Sequence, residues 1–474
     1  MLKRSMMVCS ISVAFFLHAQ DVSTIQNTVE IYSNGSTKGS AKYNAMAGST
    51  GALGGDGTAL MNNPAGLGVA ISGSLSGTLL VDNYKNTSKL DGSSISYKRT
   101  TADGNFNGIS TYQLLTETPW KFVNIGVNYT SQNLDNYVET PGNQNIKIQK
   151  NLLDNANNPV VGNLSYLGHA YSRTGSLSKL GIGVGANYDN RIYLGAGLNF
   201  HAAEIEQYDT ASFGLDLDNS TAKYGKQYTP FSESSSGFSA NIGIIGKLSK
   251  TLRVGAAIES PTFWSLQRVY TNNYVDGSGF ISYENNTEDR TLTTPMKAIL
   301  SASLVPNKNF SLNVDYTIGI TKAHYKVQGP AETELNDFFS DNSKNMSDIK
   351  VGAEYRINAL RLRAGYGYAS SPLDNITLSA YNSNGNTGDA TYSNLFVGER
   401  NTIGAGIGYD WKSFFIDAAY QNVNSKYASP FLAGSVANGT GYYSDDFDVN
   451  SSASALSSVE SIRNNFSLTL GWKF

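Results

Sequence analysis

Apolar residues alternate with small or polar residues along many segments of this chain. In the last segment, one face carries Phe466, Leu468, Leu470, Trp472 and Phe474, and the other carries Ser467, Thr469, Gly471 and Lys473. A period of two residues is that of a β-strand whose two faces meet different surroundings. The same alternation recurs within 123–129, 252–258, 310–316 and 360–366. The pattern therefore predicts an all-β protein.

Turn residues divide the connections between these segments into short and long ones. Six short connections lie near Thr118-Pro119, Asp189-Asn190, Ser249-Lys250, Pro306-Asn307, Asn358-Ala359 and Trp411-Lys412. Seven long polar stretches lie near 85–105, 137–175, 207–236, 270–292, 327–347, 371–399 and 426–461. Within the second of these, residues 162–175 are expected to be a strand extension or a loop hairpin. Seven long loops alternating with six short turns predict fourteen antiparallel strands, an even number that can close without a free edge.

The connection lengths favour a transmembrane barrel over a soluble sandwich. Alternation alone fits both, because a sandwich also has one apolar and one polar face. Short turns on one side and long loops on the other are typical of transmembrane barrels, in which the apolar face meets lipid and the other face lines the lumen. Aromatic residues expected at the lipid headgroup level are Tyr129, Tyr188, Tyr316, Tyr409 and Trp472. We therefore predict a 14-stranded antiparallel transmembrane β-barrel.

Composition agrees with a strand-rich chain and excludes a basic, nucleic-acid-binding one. The 474 residues include 29 Tyr and 47 Gly, and the formal net charge is -3. The first twenty residues form the exception to the alternating pattern. Lys3 and Arg4 precede an apolar run that ends near Ala19, so residues 1–20 are expected to be a secretory signal peptide. The sole cysteine, Cys9, lies in that run, and no disulfide is expected after cleavage.

Residues 21–67 do not alternate and are expected to form a small helical hatch inside the lumen, with residues 68–474 forming the barrel. Short helices are expected at about 41–47 and 57–62, the second capped by Asp56. Glycines between them break the chain. Inside a barrel, the backbone polar groups of such a segment can pair with the polar inner wall.

The N-terminal motifs resemble those of the FadL/OmpP1/TodX family of outer-membrane transporters of hydrophobic compounds. The motifs are Ala45-Met46-Ala47-Gly48, Gly54-Gly55-Asp56-Gly57-Thr58-Ala59 and Asn63-Pro64-Ala65-Gly66-Leu67. Later segments also resemble the family in order and spacing: Thr294-Pro295, Asp315-Tyr316, Leu362-Arg363-Ala364-Gly365-Tyr366 and Ser371-Pro372. Met61-Asn62 departs from the aromatic residue that members often carry before Asn63, and 426–462 matches poorly.

The resemblance implies passive uptake of a hydrophobic solute through a hatch-gated lumen with a lateral opening in the third strand. The expected gating residues are Asn63, Pro64, Ala65, Gly66 and Leu67. The third strand is expected over 121–136, with a kink near Gly126 or Asn128, because glycine inside a strand often marks a bend. At Gly126, a small inward-facing residue is the competing interpretation.

Apolar residues in the long loops are candidates for substrate binding. They are Phe213, Leu215, Leu217, Phe231, Phe263, Trp264 and Leu266, for which loop packing is the alternative. The substrate itself stays open between long-chain fatty acids and aromatic hydrocarbons. Expected partners are this solute, outer-membrane lipid and lipopolysaccharide, and the barrel assembly machinery, which would recognise the C-terminal strand ending in Phe474. A monomer without cofactor or metal is expected.

Three other functions fit parts of the sequence. A general diffusion porin would have the same exterior, as would a structural or adhesive barrel. An outer-membrane lipid hydrolase would need a catalytic pair, and His169, His201 and His324 are dispersed without a nucleophile motif or metal-ligand spacing. Asp445, Asp446 and Asp448 could bind calcium, although a solvated acidic loop is the commoner meaning.

Overall fold

A computed structural model gives the fold of this chain. The structure describes residues 24–33, 38–115, 117–153, 159–217, 220–227, 231–275, 281–433, 442–443, 448–449 and 451–474. The expected signal peptide, 1–20, lies outside these residues. So do Asp445 and Asp446 of the acidic loop.

Fourteen antiparallel strands close into one barrel, which confirms the predicted fold. In chain order the strands are Ser74–Leu90, Ser93–Gln113, Trp120–Asn133 with Asn136–Leu153, Pro159–Tyr188, Ile192–Leu217, Phe231–Lys247, Leu252–Glu259 with Phe263–Val275, Ile281–Thr293 with Lys297–Asn307, Phe310–Gly319, Ser347–Ile357, Leu360–Ala369, Arg400–Asp410, Phe414–Phe431 and Ala455–Lys473. Each strand pairs with the next, and the first pairs with the last from Ser74 opposite Lys473 to Lys89 opposite Ser458. We number the strands first to fourteenth in this order.

The two faces of the barrel differ as the alternation predicts. On the fourteenth strand, Phe466 and Trp472 are 54% and 55% exposed on the outside, whereas Ser467 and Thr469 are buried inside. Near the short turns, aromatic rings contact each other from strand to strand, as in the pair of Phe414 and Trp472, whose centroids lie 5.2 Å apart. The exterior is thus apolar and the interior polar.

The six short turns lie where the sequence predicts them, but the long loops are shorter than expected. Much of the first four polar stretches is strand: the first hairpin turns at Asp91 and Gly92, within the expected loop 85–105. Residues 162–175 are likewise an extension of the fourth strand. Above the apolar band both faces of a strand meet polar surroundings, so alternation fades there although pairing continues.

The expected loops also contain short elements that alternation could not indicate. The stretch 327–347 contains the helix Ala331–Asn342, which buries Leu335, Phe338 and Phe339. The stretch 371–399 contains the hairpin Ile376–Tyr381 with Thr387–Tyr392. Shorter strands are Ser220–Gln227, His324–Lys326, Tyr442–Tyr443 and Asp448–Val449. Among the described residues, no helix is long and apolar enough to cross a membrane.

The N-terminal segment lies inside the barrel in two parts. Residues 38–70, here called the luminal hatch, contain the α-helix Ala41–Ala45 and the 3-10 helices Gly57–Met61 and Pro64–Val69. Asp56 caps the second helix by accepting a hydrogen bond from Thr58 N at 3.0 Å, as expected. Residues 24–33, here called the upper segment, contain the π-helix Thr28–Ser33 and contact the strands nearer the long loops.

Candidate functional site: the barrel lumen

Asn63 joins the luminal hatch to the barrel wall. Its Oδ1 accepts a hydrogen bond from Ala65 N at 3.0 Å and caps the helix that starts at Pro64. Its Nδ2 donates to Ile244 O of the sixth strand at 3.2 Å. One side chain therefore both fixes the local turn and connects it to the wall. The remaining predicted gating residues, Pro64, Ala65, Gly66 and Leu67, are buried in this helix.

Wall amides satisfy the backbone carbonyls of the luminal hatch. Asn124 Nδ2 donates to Leu67 O at 2.6 Å and to Ala70 O at 2.9 Å. Asn241 Nδ2 donates to Leu60 O at 3.0 Å. Short 3-10 helices leave carbonyls unpaired at their ends, so these amides replace the water that would otherwise be needed.

Inward-facing glycines bring the wall close to the luminal hatch. An added Cβ would collide with the hatch at Gly183, Gly185, Gly195, Gly352, Gly365 and Gly404. At Gly195 the colliding atoms belong to the Pro64-Ala65 backbone, and at Gly404 they include the Ala45 carbonyl. Sequence reasoning missed this contact surface. The available signal was glycine at every second position in segments such as 181–185 and 404–408.

Charged contacts fix two further points of the luminal hatch. Asp315 of the ninth strand is buried and accepts hydrogen bonds from Gly51 N at 2.8 Å and Asn62 Nδ2 at 3.2 Å. Lys38 Nζ lies 3.0 Å from Asp82 Oδ2 and 2.9 Å from Asp103 Oδ2. Both carboxylates belong to the first hairpin, so the start of the hatch is tied to that part of the wall.

Within the luminal hatch, Lys42 and Asp56 form an ion pair at 3.0 Å. Burial alone would raise the pKa of the Asp56 carboxyl. The Lys42 ammonium and the hydrogen bonds from Thr58 outweigh burial and hold this pKa below its ordinary value. The pair therefore favours the ionised carboxylate that also caps the helix.

Gly126 and Asn128 lie in regular pairing on the third strand, opposite Ile109 and Asn107 of the second strand. Gly126 faces Leu67 of the luminal hatch, where an added Cβ would collide with that side chain. Asn128 Oδ1 accepts a hydrogen bond from Asn105 Nδ2 at 2.9 Å. The interruption of this strand lies instead at residues 134–135, later than the expected kink. The strand itself begins at 120, close to the expected 121.

A cavity of about 170 Å³ lies between the luminal hatch and the upper segment. We call it the luminal cavity. Its apolar lining includes Ile31, Leu177, Trp264, Pro295, Ile299 and Met346. The indole N–H of Trp264 is buried and has no hydrogen-bond partner among the described residues. Trp264 can therefore provide both an apolar face and a hydrogen-bond donor to a bound molecule.

The charges that line the luminal cavity are mostly paired. Lys179 lies 3.1 Å from Glu259, and Lys350 lies 3.1 Å from Asp348. Lys297 and Arg400 add two further cationic groups to the lining. The cavity therefore combines an apolar surface with an excess of positive charge.

A second cavity of about 140 Å³ lies on the side of the interrupted third strand. We call it the polar cavity. Asn133 and Asn136, which flank the interruption, line it together with Asp82, Arg173, Glu30 and Arg463. Arg173 Nη1 lies 3.2 Å from Glu30 Oε2. The third-strand interruption thus adjoins a space that several charged side chains line.

The predicted substrate-binding residues do not form one exposed surface. Phe213 and Leu215 are buried in a cluster with Tyr166 and Phe431. Trp264 and Leu266 are buried in another cluster with residues of the upper segment. Phe231 is also buried, with the Arg268 guanidinium 4.0 Å from its ring centroid. All five side chains are packed against other residues, and their role in substrate binding stays a prediction.

Two of the seven residues differ from this description. Phe263 is 56% exposed on the outside of the barrel. The side chain of Leu217 lies outside the described part. Of the seven, Trp264 lines the luminal cavity.

The three histidines of the described residues, His169, His201 and His324, are dispersed over the barrel, as their spacing suggests. His169 stacks on Phe431 with ring centroids 4.9 Å apart, and His324 begins a short strand after the ninth. His201 lines the luminal cavity with its Nε2 3.1 Å from Ser239 Oγ, a pair that the sequence did not indicate. Glu259 Oε1 accepts from this serine at 3.5 Å. A hydrolytic triad places its carboxylate on the histidine, so the geometry differs from that of a hydrolase.

Solved structures with this fold are named as channels for hydrophobic compounds. A Pseudomonas aeruginosa FadL homologue aligns at TM-score 0.57 and 13% identity, covering 92% of this chain and 98% of that one. The Pseudomonas putida toluene transporter TodX gives 0.53 and 14%, covering 93% and 99%. The Ralstonia pickettii toluene transporter TbuX gives 0.52 and 15%, covering 93% and 99%.

The chain has the fold of these channels. No protein-family model matches it. No curated protein matches it significantly either.

Proposed function

We propose that this protein is an outer-membrane channel for passive uptake of hydrophobic small molecules and belongs to the FadL/OmpP1/TodX family. The observation that carries the proposal is the luminal cavity, a space lined by both apolar and charged side chains above a packed hatch inside a closed barrel. An apolar exterior and a polar interior suit a barrel embedded in lipid. Burial of each methylene contributes about 0.8 kcal/mol, so a small apolar cavity suffices to bind an alkyl chain or an aromatic ring.

The proposed path has three stages. A solute enters past the long loops and occupies the luminal cavity, next to Trp264. Rearrangement of the luminal hatch around Asn63–Leu67 then lets it pass, and it leaves sideways into lipid. The resemblance places this lateral opening in the third strand, near the expected Gly126 and Asn128. Concentration differences alone drive the movement.

The charges of the luminal cavity favour a substrate that carries an anionic group on an apolar body, such as a fatty acid. Lys297 is one of the cationic groups in the lining, and Trp264 can donate a further hydrogen bond. A hydrocarbon such as toluene would use only the apolar part. Lys297→Gln is expected to weaken binding of oleate and to leave binding of toluene unchanged.

Outside the barrel, we propose lipid, including lipopolysaccharide, as the main contact of the exposed apolar residues. Phe474 is 75% exposed at the end of the last strand, where an assembly machinery could recognise it. Every strand of the closed barrel is hydrogen-bonded to a neighbour on both sides, so no free edge is left for pairing with another chain, which supports a monomer.

Uptake by cells and conductance in bilayers test this function together. A knockout strain complemented with the gene should regain growth on oleate or toluene. The purified protein should conduct little current in a planar bilayer, because the luminal hatch obstructs the lumen. Steady ion conductance without hydrophobic uptake would instead identify a general diffusion porin. Release of fatty acid from lipid by the purified protein would favour the hydrolase.

A further inference from the structure

Three neighbouring strands of the barrel are interrupted at the same level. Ladder pairing between the seventh and eighth strands stops at Glu259 opposite Lys297 and resumes at Phe263 opposite Thr293. Each strand therefore leaves three residues unpaired in register, 260–262 and 294–296. On the other side of the eighth strand, the ninth strand ends at Gly319, and pairing resumes at His324. We call residues 260–262, 294–296 and 320–323 the seam.

Proline and hydroxyl side chains explain why the ladder stops there. Pro261 and Pro295 have no N–H to donate, so regular pairing cannot pass through either residue. Threonine hydroxyls substitute for carbonyls: Thr262 N donates to Thr294 Oγ1 at 2.9 Å, and Met296 N donates to Thr321 Oγ1 at 2.8 Å. A side-chain acceptor can rotate away from its donor. Two backbone bonds also cross the seam, from Thr294 N to Thr262 O at 3.1 Å and from Ile320 N to Met296 O at 2.8 Å. A few separate hydrogen bonds therefore replace the regular ladder in the seam.

The seam lies within the outer half of the apolar band. The eight residues Leu252–Glu259 precede it from the short turn, and they extend about 26 Å at about 3.3 Å per residue. With a strand tilt near 40°, this length rises about 20 Å through a band about 25 Å tall. Its outer surface is apolar: Ile258, Phe263 and Ile320 are 47%, 56% and 46% exposed. Lipid chains would therefore contact it directly.

The luminal cavity lies directly behind the seam. Ser260, Thr262, Thr294 and Pro295 line this cavity from the seam side. Pro295 also lines a smaller cavity of about 40 Å³ that reaches Gly319 and Thr321. Spaces on both sides of Pro295 would let it move.

Two interruptions of the wall adjoin two different spaces. The third-strand interruption adjoins the polar cavity with its carboxylates and guanidinium groups. The seam adjoins the luminal cavity with Trp264, Ile299 and Met346. Both spaces are lined by charged as well as apolar side chains, and the seam leads to the one that contains Trp264.

We propose that the seam is a lateral portal between the luminal cavity and the outer-leaflet lipid. Hydrophobic solutes pass through it as the hydrogen bonds across the seam open, separately from any opening in the third strand. This proposal rests on the proposed function for its biological use, although the passage itself can be measured without uptake by cells.

Reversible disulfides test the portal in a molecule with one tryptophan. Of the four tryptophans, Trp120, Trp411 and Trp472 are changed to Phe, which leaves Trp264 behind the seam. The lock is Thr262→Cys with Thr294→Cys. The matched control joins the same two strands below the seam through Ala256→Cys with Leu300→Cys, which are directly paired. A third pair, Phe106→Cys with Tyr129→Cys, locks the second strand to the third.

The measurement is quenching of Trp264 fluorescence by bromobenzene dissolved in the vesicle lipid. Quenching should occur in the reduced proteins, fall strongly when the seam lock is oxidised, and return on reduction of the same sample. The two other oxidised locks should leave quenching unchanged. Recovery on reduction excludes misfolding as the cause. No quenching of the reduced protein, quenching that survives the seam lock, or quenching lost only in the third-strand lock would overturn the portal. Quenching that is lost on oxidation of the seam lock and restored on reduction, in a protein that supports no uptake by cells, would contradict the proposed function but not the portal.

Discussion

At the scale of single residues, the lumen is organised by amide and carboxylate side chains that each satisfy more than one group. Asn63 caps a helix and bonds the wall, and Asp315 accepts from both Gly51 and Asn62. Such groups are costly to remove because their partners stay buried and unpaired. The luminal hatch is therefore held by a few specific contacts, and changing one of them should alter its mobility.

Asn63→Ala should loosen the luminal hatch without preventing assembly of the barrel. Loss of the cap costs about 1 kcal/mol, and Ile244 O loses its donor. Faster hydrogen exchange is expected over residues 57–70, together with changed oleate uptake. Asn83→Ala, on the exposed part of the first hairpin, is the control. Unchanged exchange and unchanged uptake would show that Asn63 has no part in gating.

The ion pair of Lys42 with Asp56 should make the luminal hatch sensitive to acid. The folded pKa of Asp56 is lowered, so its contribution to stability is present above the ordinary carboxyl pKa and is lost as the pH falls through the lowered folded pKa. The protection of residues 38–62 against hydrogen exchange, relative to the intrinsic exchange rate at each pH, should therefore fall on acidification below the ordinary carboxyl range. Asp56→Asn keeps a helix-capping side chain but removes the charge. It should exchange faster at neutral pH and show a weaker response to acid; an unaltered acid response would assign the effect to other carboxyls.

At the scale of elements, the contact between strand and hatch depends on glycine at inward positions. Gly195→Ala places a methyl group against the Pro64-Ala65 backbone, which cannot move without displacing the helix. Overpacking of this kind costs about 1–3 kcal/mol. The variant should retain its barrel but show frequent conductance openings in a planar bilayer. Gly77→Ala, where an added Cβ meets open space, should behave as the parent. Identical conductance recordings from Gly195→Ala and Gly77→Ala would mean that the contact of Gly195 with the Pro64-Ala65 backbone does not hold the luminal hatch in place.

The same elements show what alternation can and cannot predict. The strand count, the short turns and the outward face follow from the period of two residues, because lipid and lumen impose opposite preferences on successive side chains. The capped helix after Asp56 follows from local hydrogen bonding. The extensions beyond the apolar band do not follow, since both of their faces are polar. The interruption at 134–135 was also not predictable, because the sequence Leu134-Asp135 has no proline or glycine.

The sequence contains the residues that interrupt the ladder at the seam, but it does not show that they lie next to each other in the fold. Pro261 and Pro295 are readable as ladder breaks, yet they lie 34 residues apart and face each other only through the register of the seventh and eighth strands. The luminal cavity likewise joins residues from most of the chain. Sequence reasoning could identify candidate residues such as Trp264 but could not group them into a site.

At the scale of the whole molecule, the barrel and the luminal hatch are stabilised by different kinds of contact. The barrel closes through backbone pairing between adjacent strands, while the luminal hatch is attached mainly through side chains such as Asn124, Asn241 and Asp315. Removing residues 21–70 should therefore leave a barrel that inserts but conducts ions steadily, because the polar inner wall can be hydrated. Planar-bilayer recordings of the deletion variant and the full chain measure this directly. The rate of oleate uptake should then rise in proportion to the oleate concentration without saturating, because the luminal hatch no longer bounds the luminal cavity. Assembly of the deletion variant can be judged by its gel mobility with and without boiling. If it fails to assemble, the deleted residues are needed for the barrel to fold. If it assembles but does not conduct, the long loops rather than the luminal hatch obstruct the lumen.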